Sequence, residues 1–138
     1  MRILVIDDKP ENLEAAKQAV EAKGWDCVTC NPTIRDERGN IPWLSMMATS
    51  DGVITDLMWA HANHGEKPLG LMVVIHALSL GKAVVICTNA RDHAKGHHGE
   101  AIGFIHDGYT SSVYPGPFGW VEDKSWTKAT ELLEPRLK

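Results

Sequence analysis

Short apolar runs alternate with amphipathic stretches along this chain, and several of the apolar runs end at a polar side chain. The first run, Arg2-Ile3-Leu4-Val5-Ile6, stops abruptly at Asp7-Asp8. Continuous apolar runs of this kind are typical of strands that are buried on both faces of a parallel sheet. The same reasoning predicts further strands at 25–30, 52–56, 82–87 and 111–114.

Helices are predicted between these strands. Pro10 and Glu11 follow Asp8 at the spacing of a helix start that is capped by an aspartate, and Gly24 ends that helix. Apolar residues at helical spacing predict a largely apolar, well-covered helix over 71–78 and a closing helix over 126–133. About five alternations of strand and helix with short connections predict an α/β fold, a doubly wound five-stranded parallel sheet with helices on both faces, in a single domain over residues 1–138.

Polar side chains follow three of the predicted strands. Asp7-Asp8 ends the first, Asp56 the third and Thr88 the fourth. Ligands of open parallel sheets bind beyond the carboxyl ends of the strands, so we expect these residues to lie side by side. Three close carboxylates repel one another unless a cation neutralises them. Mg²⁺ suits such a site because it takes few carboxylates and keeps waters or phosphate oxygens as its other ligands.

An aspartate beside such an ion has a chemistry of its own. It can attack phosphorus and form an aspartyl-phosphate, while the ion offsets the charge on the transferred oxygens. A nearby hydroxyl, such as that of Thr88, can donate a hydrogen bond to one of those oxygens. Taken alone, however, Asp8 fits a helix cap and Asp7 a solvated turn residue.

Several segments resemble the motifs of response-regulator receiver domains. Ile3-Leu4-Val5-Ile6-Asp7-Asp8-Lys9-Pro10-Glu11-Asn12 is similar to the opening of a receiver, and Val53-Ile54-Thr55-Asp56-Leu57-Met58 to the strand that carries the phosphoacceptor. Pro68-Leu69-Gly70-Leu71 resembles the segment before the third helix, after a longer loop than usual. Val84-Val85-Ile86-Cys87-Thr88 resembles the strand that ends in the switch hydroxyl. The resemblance covers about the first 90 positions.

This resemblance implies a flavodoxin-like sheet of strand order 2-1-3-4-5 and a stand-alone receiver in phosphorelay signal transduction. It implies Asp56 as the phosphoacceptor and Thr88 as the switch hydroxyl. The Mg²⁺ ligands would be Asp7, Asp8, Asp56 and the backbone carbonyl of Met58. The implied partners are a histidine kinase or phosphotransfer protein and a downstream protein target, and the domain would be a phosphoacceptor rather than a turnover enzyme.

The last third departs from the receiver pattern. Receivers carry a lysine followed by proline at the end of the fifth strand, and the corresponding stretch here, 111–118, contains no lysine. Lys124 follows shortly after that stretch and is the alternative source of the amine. Asn89 replaces the small residue that usually follows the switch hydroxyl. A second hypothesis is therefore a pseudo-receiver, a protein-binding module that does not transfer phosphate.

Histidine suggests a third hypothesis, a metal-dependent hydrolase or metal sensor. Two loops at 60–68 and 91–99 are rich in histidine, and their side chains either are solvated or bind a transition metal. The histidines in question are His61, His64, His93, His97 and His98. Trp59, close after Asp56, is either a core residue or a cover for the entrance of the acidic site.

Composition argues against several other classes of protein. The chain has 138 residues and a formal net charge of −4, which argues against a nucleic-acid binder that relies on bulk positive charge. Neither a signal peptide nor an apolar stretch long enough to span a membrane is visible, so a cytoplasmic protein without membrane contact is expected. Cys27 and Cys30 have C-x-x-C spacing but sit in a predicted strand, which favours buried free thiols over redox chemistry.

Overall fold

The computed structural model describes residues 1–60, 65–89 and 116–137. Five parallel strands form one sheet in the order β2-β1-β3-β6-β7, and β4 pairs with β5 in a separate antiparallel hairpin. The strands are β1 (Arg2–Ile6), β2 (Asp26–Cys30), β3 (Gly52–Thr55), β4 (Trp59–Ala60), β5 (Glu66–Lys67), β6 (Ala83–Cys87) and β7 (Phe118–Val121). Without the small hairpin, this is the 2-1-3-4-5 order expected from the sequence, which is confirmed.

Helices cover both faces of the sheet. They are α1 (Pro10–Ala22), α2 (Pro42–Ala48), α3 (Gly70–Ser79) and α4 (Trp126–Leu133), and a 3₁₀ turn follows at Glu134–Arg136. α1 and α4 pack on one face, against Ile3, Val5 and Val85. α2 and α3 pack on the other face, against side chains such as Leu4 and Ile86. Each central strand therefore buries side chains on both faces, as its continuous apolar sequence predicts.

The register brings the carboxyl ends of the central strands together. Ile6 pairs with Thr55, and Thr55 pairs with Ile86, so the residues that follow these strands leave the sheet at one edge. Because Asp7, Asp56 and Thr88 are those following residues or lie one position beyond, their side chains meet above that edge.

The fifth strand differs from the sequence prediction. The predicted strand at Ser111–Tyr114 lies outside the described residues, and the strand that pairs with β6 is β7 (Phe118–Val121). Its register, Val84 with Phe118 and Cys87 with Val121, buries Phe118 completely. Pro115 and Pro117 precede this strand and Gly119 lies within it, which disfavours a strand locally, but sheet pairing and burial of Phe118 outweigh that preference.

The start of α1 also differs from the prediction. Lys9, not Asp8, is the cap residue, and no side chain caps the helix by a hydrogen bond. The carboxylate of Asp7 accepts the backbone N–H of Lys9 at 2.9 Å instead. Asp8 is therefore not used as a helix cap, and its half-buried carboxylate remains at the sheet edge.

The two cysteines of the C-x-x-C segment lie on opposite faces of β2. Cys30 belongs to the cluster under α2 and α3, and Cys27 packs against the cluster under α1 and α4. Three positions apart on a strand, their side chains point away from each other, so they cannot form a disulfide without rearrangement of the backbone. Burial raises the pKa of each thiol to about 11, which leaves little reactive thiolate.

α3 is less covered than its composition suggested. Met72 and Ile75 are 53% and 60% exposed, although Val73, Val74 and Ala77 are fully buried. No helix in the described ranges is long and apolar enough to cross a membrane.

Candidate functional site

An acidic cleft of about 250 Å³ lies above the carboxyl edge of the sheet. Its walls come from the ends of β1, β3 and β6, from the start of α1, and from the hairpin β4–β5. The residues that line it are Asp8, Lys9, Glu11, Asn12, Asp56, Met58, Glu66, Thr88, Asn89 and Lys124. The structure thus brings together the residues that the sequence placed at the strand ends.

Asp7 forms the buried base of the acidic cleft. It has no solvent exposure, yet each of its oxygens is hydrogen bonded. Oδ1 accepts the backbone N–H of Lys9 at 2.9 Å, and the side-chain amide of Asn12 lies 3.2 Å from both oxygens. The amine of Lys124 lies 2.7 Å from Oδ2. A buried carboxylate is tolerated when it is paired and hydrogen bonded in this way.

The two carboxylate oxygens of Asp56 differ in their contacts with the described residues. Its Oδ1 accepts the backbone N–H of Leu57 at 2.8 Å and lies 3.0 Å from the amine of Lys124. No residue in the described part of the chain donates a hydrogen bond to Oδ2. The carboxylate is therefore held in one orientation while its second oxygen remains available to a ligand or an electrophile.

Lys124 is the cation of the acidic cleft. It follows β7, and its amine bridges Asp7 and Asp56 while donating to the backbone carbonyl of Cys87 at 3.3 Å. The amine also lies 5.3 Å from the ring centroid of Trp126. The expectation that the end of the fifth strand supplies no lysine is thus wrong, because the strand itself lies further along the chain than predicted.

The backbone of Lys124 is strained. Its φ is +55°, in the left-handed region where a side chain costs about 1–2 kcal/mol relative to glycine. The backbone N–H of Lys124 donates to the carbonyl of Thr88 at 3.3 Å, and the N–H of Thr88 donates to Val121 at 3.0 Å. These bonds hold the lysine in a conformation that turns its amine back over the sheet edge.

Thr88 carries an unused hydroxyl. The residue is 1% exposed and lines the cleft, and no described residue bonds to its Oγ1. Buried hydroxyls without a partner are rare, because an unpaired polar group away from water costs about 1–3 kcal/mol. A bound oxyanion in the cleft would satisfy this donor.

Burial and charge shift the ionisation of the cleft residues. Burial raises the pKa of the Asp56 carboxyl most, Lys124 lowers it, Asp7 raises it, and the net result is a pKa above the ordinary value. Burial and the charge of Asp7 likewise raise the pKa of Asp8, with a smaller contribution from Glu66. Burial alone would lower the pKa of Lys124, but Asp56 and Asp7 reverse this and raise it. Burial thus disfavours the ionised forms of Asp8 and Asp56, and Lys124 offsets this only in part at Asp56.

The carboxylates fit a hard divalent cation. One oxygen from each of Asp7, Asp8 and Asp56 lies within 4.8 Å of the other two. This spacing suits oxygen ligands around Mg²⁺, and a bound cation would favour the ionised carboxylates of Asp8 and Asp56 against the burial that raises their pKa. Met58 lines the same cleft.

Two residues that contribute to the cleft were not predicted as site residues from the sequence. Asn12 orients Asp7, and Glu66 reaches the rim from the hairpin. The Pro-Glu-Asn motif was a signal for Asn12, but nothing in the sequence indicates that Glu66 folds back. Trp59 does not line the acidic cleft and is 3% exposed, so the interpretation as a core residue holds. The histidines at 61, 64, 93, 97 and 98 lie outside the described residues.

Comparison with known proteins gives structural matches without sequence matches. No protein-family model and no curated protein sequence matches the chain. A bacterial signal-transduction protein described as a transiently phosphorylated switch matches with a TM-score of 0.58 and 19% identity, over 98% of this chain and 92% of that one. A response regulator from Burkholderia multivorans matches with a TM-score of 0.52 and 20% identity, over 97% and 92%. The chain has a receiver-like fold.

The same fold also occurs in a designed protein. A de novo designed Rossmann 2x3 protein matches this chain with a TM-score of 0.55 and 20% identity, over 94% of this chain and 86% of the design. Because a receiver-like fold is shared by proteins of different origin, function has to be argued from the acidic cleft itself.

Proposed function

We propose that the chain is a receiver domain of phosphorelay signal transduction that accepts a phosphoryl group on Asp56. The observation that carries this proposal is the position of Lys124, whose amine lies 3.0 Å from Oδ1 of Asp56, while no described residue bonds to Oδ2. A nucleophilic carboxylate, a fixed cation and an unpartnered hydroxyl at Thr88 then line one cleft. These are the groups that phosphoryl transfer to a carboxylate requires.

In the proposed reaction, Oδ2 of Asp56 attacks the phosphorus of a phosphohistidine or a small phosphodonor. The new bond is O–P, the bond from phosphorus to the donor breaks, and the electron pair leaves with the donor atom, which takes up a proton. Leu57 and Lys124 hold Oδ1 and so orient the nucleophile. Orientation of this kind lowers the barrier because the reacting atoms need no further alignment.

Lys124 and Thr88 would bind the transferred group. The amine of Lys124 can move from Asp7 and Asp56 to a phosphoryl oxygen, and the hydroxyl of Thr88 can donate to another. Each of these two contacts would stabilise the phosphoryl group more than the same contact at an exposed site, because Thr88 is buried and Lys124 is mostly covered. Formation of the Thr88 bond is the step that we propose as the switch, since it satisfies a hydroxyl otherwise without a partner.

Mg²⁺ is the proposed cofactor, held by Asp7, Asp8, Asp56 and the backbone carbonyl of Met58. When bound, the ion would neutralise charge on the carboxylates and on the phosphoryl oxygens. Asn12 and the N–H of Lys9 keep Asp7 in place for this task. The convergence of carboxylate oxygens within 4.8 Å supports the assignment.

We propose that residues 1–138 make up one receiver-like domain and that it works in the cytoplasm. Its partners would be a histidine kinase or phosphotransfer protein and a downstream protein target, without direct contact with nucleic acid or membrane. The receiver-like fold supports protein partners of this kind.

The test is phosphorylation with acetyl phosphate and Mg²⁺, followed by mass spectrometry of the intact protein. We expect one phosphoryl adduct in the wild type, none in Asp56→Asn, and an unchanged adduct in Asp26→Asn, which alters an exposed aspartate at the other end of the sheet. Absence of an adduct in the folded wild type with Mg²⁺ would refute the proposal. That result would favour a pseudo-receiver, even though Lys124 lies where the absence of a lysine from 111–118 first suggested that hypothesis.

A further inference from the structure

A second cavity lies on the α2–α3 side of the molecule. Its volume is about 240 Å³, and none of its lining residues belongs to the acidic cleft. We call it the tryptophan cavity, and the residues that matter here are Arg35, Trp43, Trp59, Ala60, Leu69 and Met72. Its walls come from the loop after β2, the start of α2, the hairpin β4–β5 and the start of α3.

Two tryptophans form the inner wall of the tryptophan cavity. Trp43 and Trp59 are 4% and 3% exposed, so both indoles are nearly buried. Trp43 contacts the ring of His76 edge-on, with 5.9 Å between ring centroids. Neither indole N–H has a hydrogen-bond partner among the described residues. Neither indole nitrogen is among the fully buried atoms that lack a partner, so both N–H groups can donate to solvent or to an acceptor in the cavity.

The rim of the tryptophan cavity carries a positive charge. Arg35 is exposed, and one of its N–H groups donates to the carbonyl of Gly39 at 3.2 Å. No carboxylate in the described part of the chain lies within ion-pair distance of this guanidinium. Its remaining N–H donors are therefore available to a ligand, and the planar guanidinium suits a carboxylate better than a spherical anion.

The size and composition of the tryptophan cavity limit what it can hold. Ligand cavities for drug-sized molecules measure roughly 300–1,000 Å³, so this one suits a ligand of about one or two fused rings. Trp43, Trp59 and Leu69 offer flat apolar walls. Met72, half exposed at the rim, has a flexible thioether that can adapt to an aromatic ring.

We propose that the tryptophan cavity is a binding site for a small aromatic carboxylate. Its ring lies between the two indoles and Met72, and its carboxylate pairs with Arg35. The combination of apolar walls with a rim guanidinium that pairs with no carboxylate of the described residues carries this assignment. It does not depend on phosphorylation of Asp56, because the two cavities share no lining residue.

The experiment compares 2-naphthoate with its neutral analogue of the same shape, 2-naphthamide. Each is titrated calorimetrically into the full chain, and the methionine methyl signals are followed by NMR, with Met72 assigned from the Met72→Leu variant. We expect 2-naphthoate to bind about tenfold more tightly than the amide, the effect of one charge-assisted contact, and to shift the Met72 signal.

Two pairs of variants locate the site. Arg35→Gln should abolish the preference for the carboxylate, whereas Arg38→Gln, which removes the same charge from the same loop outside the cavity, should retain it. Ala60→Phe fills the cavity from an exposed position and should abolish binding of both probes without lowering the melting temperature.

Several results would overturn the proposal. They are the absence of binding at millimolar probe, equal affinity for the two probes, and an unchanged preference in Arg35→Gln. Binding that survives in Ala60→Phe, or that leaves the Met72 signal in place, would mean that the probe binds elsewhere. The acetyl phosphate reaction is measured on the same samples, so a failure of either proposal is seen separately from the other.

Discussion

The amine of Lys124 lies 2.7 Å from Oδ2 of Asp7, although the two residues come from opposite ends of the chain. The same amine lies 3.0 Å from Oδ1 of Asp56, so it links the carboxylates at the ends of β1 and β3. The acidic cleft thus has an internal cation that occupies the carboxylates until a ligand takes its place.

Replacement of Lys124 by methionine should separate cation binding from phosphoryl transfer. The amine competes with Mg²⁺ for Asp7 and Asp56, so Lys124→Met should bind Mg²⁺ about tenfold more tightly, a change of about 1.4 kcal/mol. The same variant should form the acetyl phosphate adduct more slowly, because no cation remains to bind the transferred group. Calorimetric titration with Mg²⁺ measures the first effect and time-resolved mass spectrometry the second. Lys128→Met, which removes an amine paired with exposed Asp123, is the control and should change neither.

The left-handed backbone at Lys124 can be tested apart from its charge. Lys124→Gly and Lys124→Ala both remove the amine, but only alanine keeps the steric cost of φ +55°. Lys124→Gly should therefore be more stable than Lys124→Ala by about 1 kcal/mol in urea unfolding. Equal stability of the two variants would mean that the backbone relaxes at no cost when the side chain is lost.

Asp56→Asn should stabilise the protein at neutral pH in the absence of divalent ions. The folded state raises the pKa of Asp56 above its ordinary 3.8, so the folded protein binds this proton more tightly than the unfolded chain does. Stability associated with Asp56 is then fully present below pH 3.8 and is lost as the pH rises through the folded-state pKa. Asparagine cannot ionise and avoids this loss, while Asp7 still pairs with Lys124.

We expect the melting temperature of Asp56→Asn at pH 7 in EDTA to exceed that of the wild type by several degrees, about 1 kcal/mol for a chain of this size. The advantage should shrink as the pH falls towards 3.8. Asp26→Asn is the matched control and should show no comparable gain. A variant less stable than the wild type at pH 7 would show that the Asp56–Lys124 pair outweighs the cost of burying the charge.

Gly70→Ala should damage both stability and the acidic cleft. In an ordinary helix alanine is favoured over glycine by about 1 kcal/mol, so this substitution would usually raise the free energy of unfolding. Here a Cβ would lie 2.1 Å from the carbonyl oxygen of Asp56 and 2.7 Å from Cα of Leu57, both of them backbone atoms that cannot turn aside. We expect a loss of about 1–3 kcal/mol in urea unfolding and slower phosphorylation. Ser79→Ala, at the exposed end of the same helix, should have little effect, and an increase in stability in Gly70→Ala would contradict the packing described here.

The sequence by itself determined the parallel sheet and most of the acidic cleft. Short, β-branched apolar runs fit strands that are buried on both faces of a sheet, and residues that directly follow parallel strands gather at its carboxyl edge. Asp7, Asp8, Asp56 and Thr88 were therefore predictable as neighbours, since each lies within two positions of a strand end and has little freedom to lie elsewhere.

Tertiary structure decided the residues that reach the cleft from segments without a clear local pattern. The last strand was misplaced because Phe118–Val121 contains a glycine and follows two prolines, and its pairing with β6 depends on a register that no local preference encodes. That register sets the position of Lys124, and a left-handed turn then directs its amine to Asp7. Likewise, Glu66 reaches the acidic cleft and Trp59 the tryptophan cavity only because the hairpin folds back on α3. Contacts between segments far apart in sequence depend on how the whole chain packs, and so the cation of the acidic cleft could be read only from the folded protein.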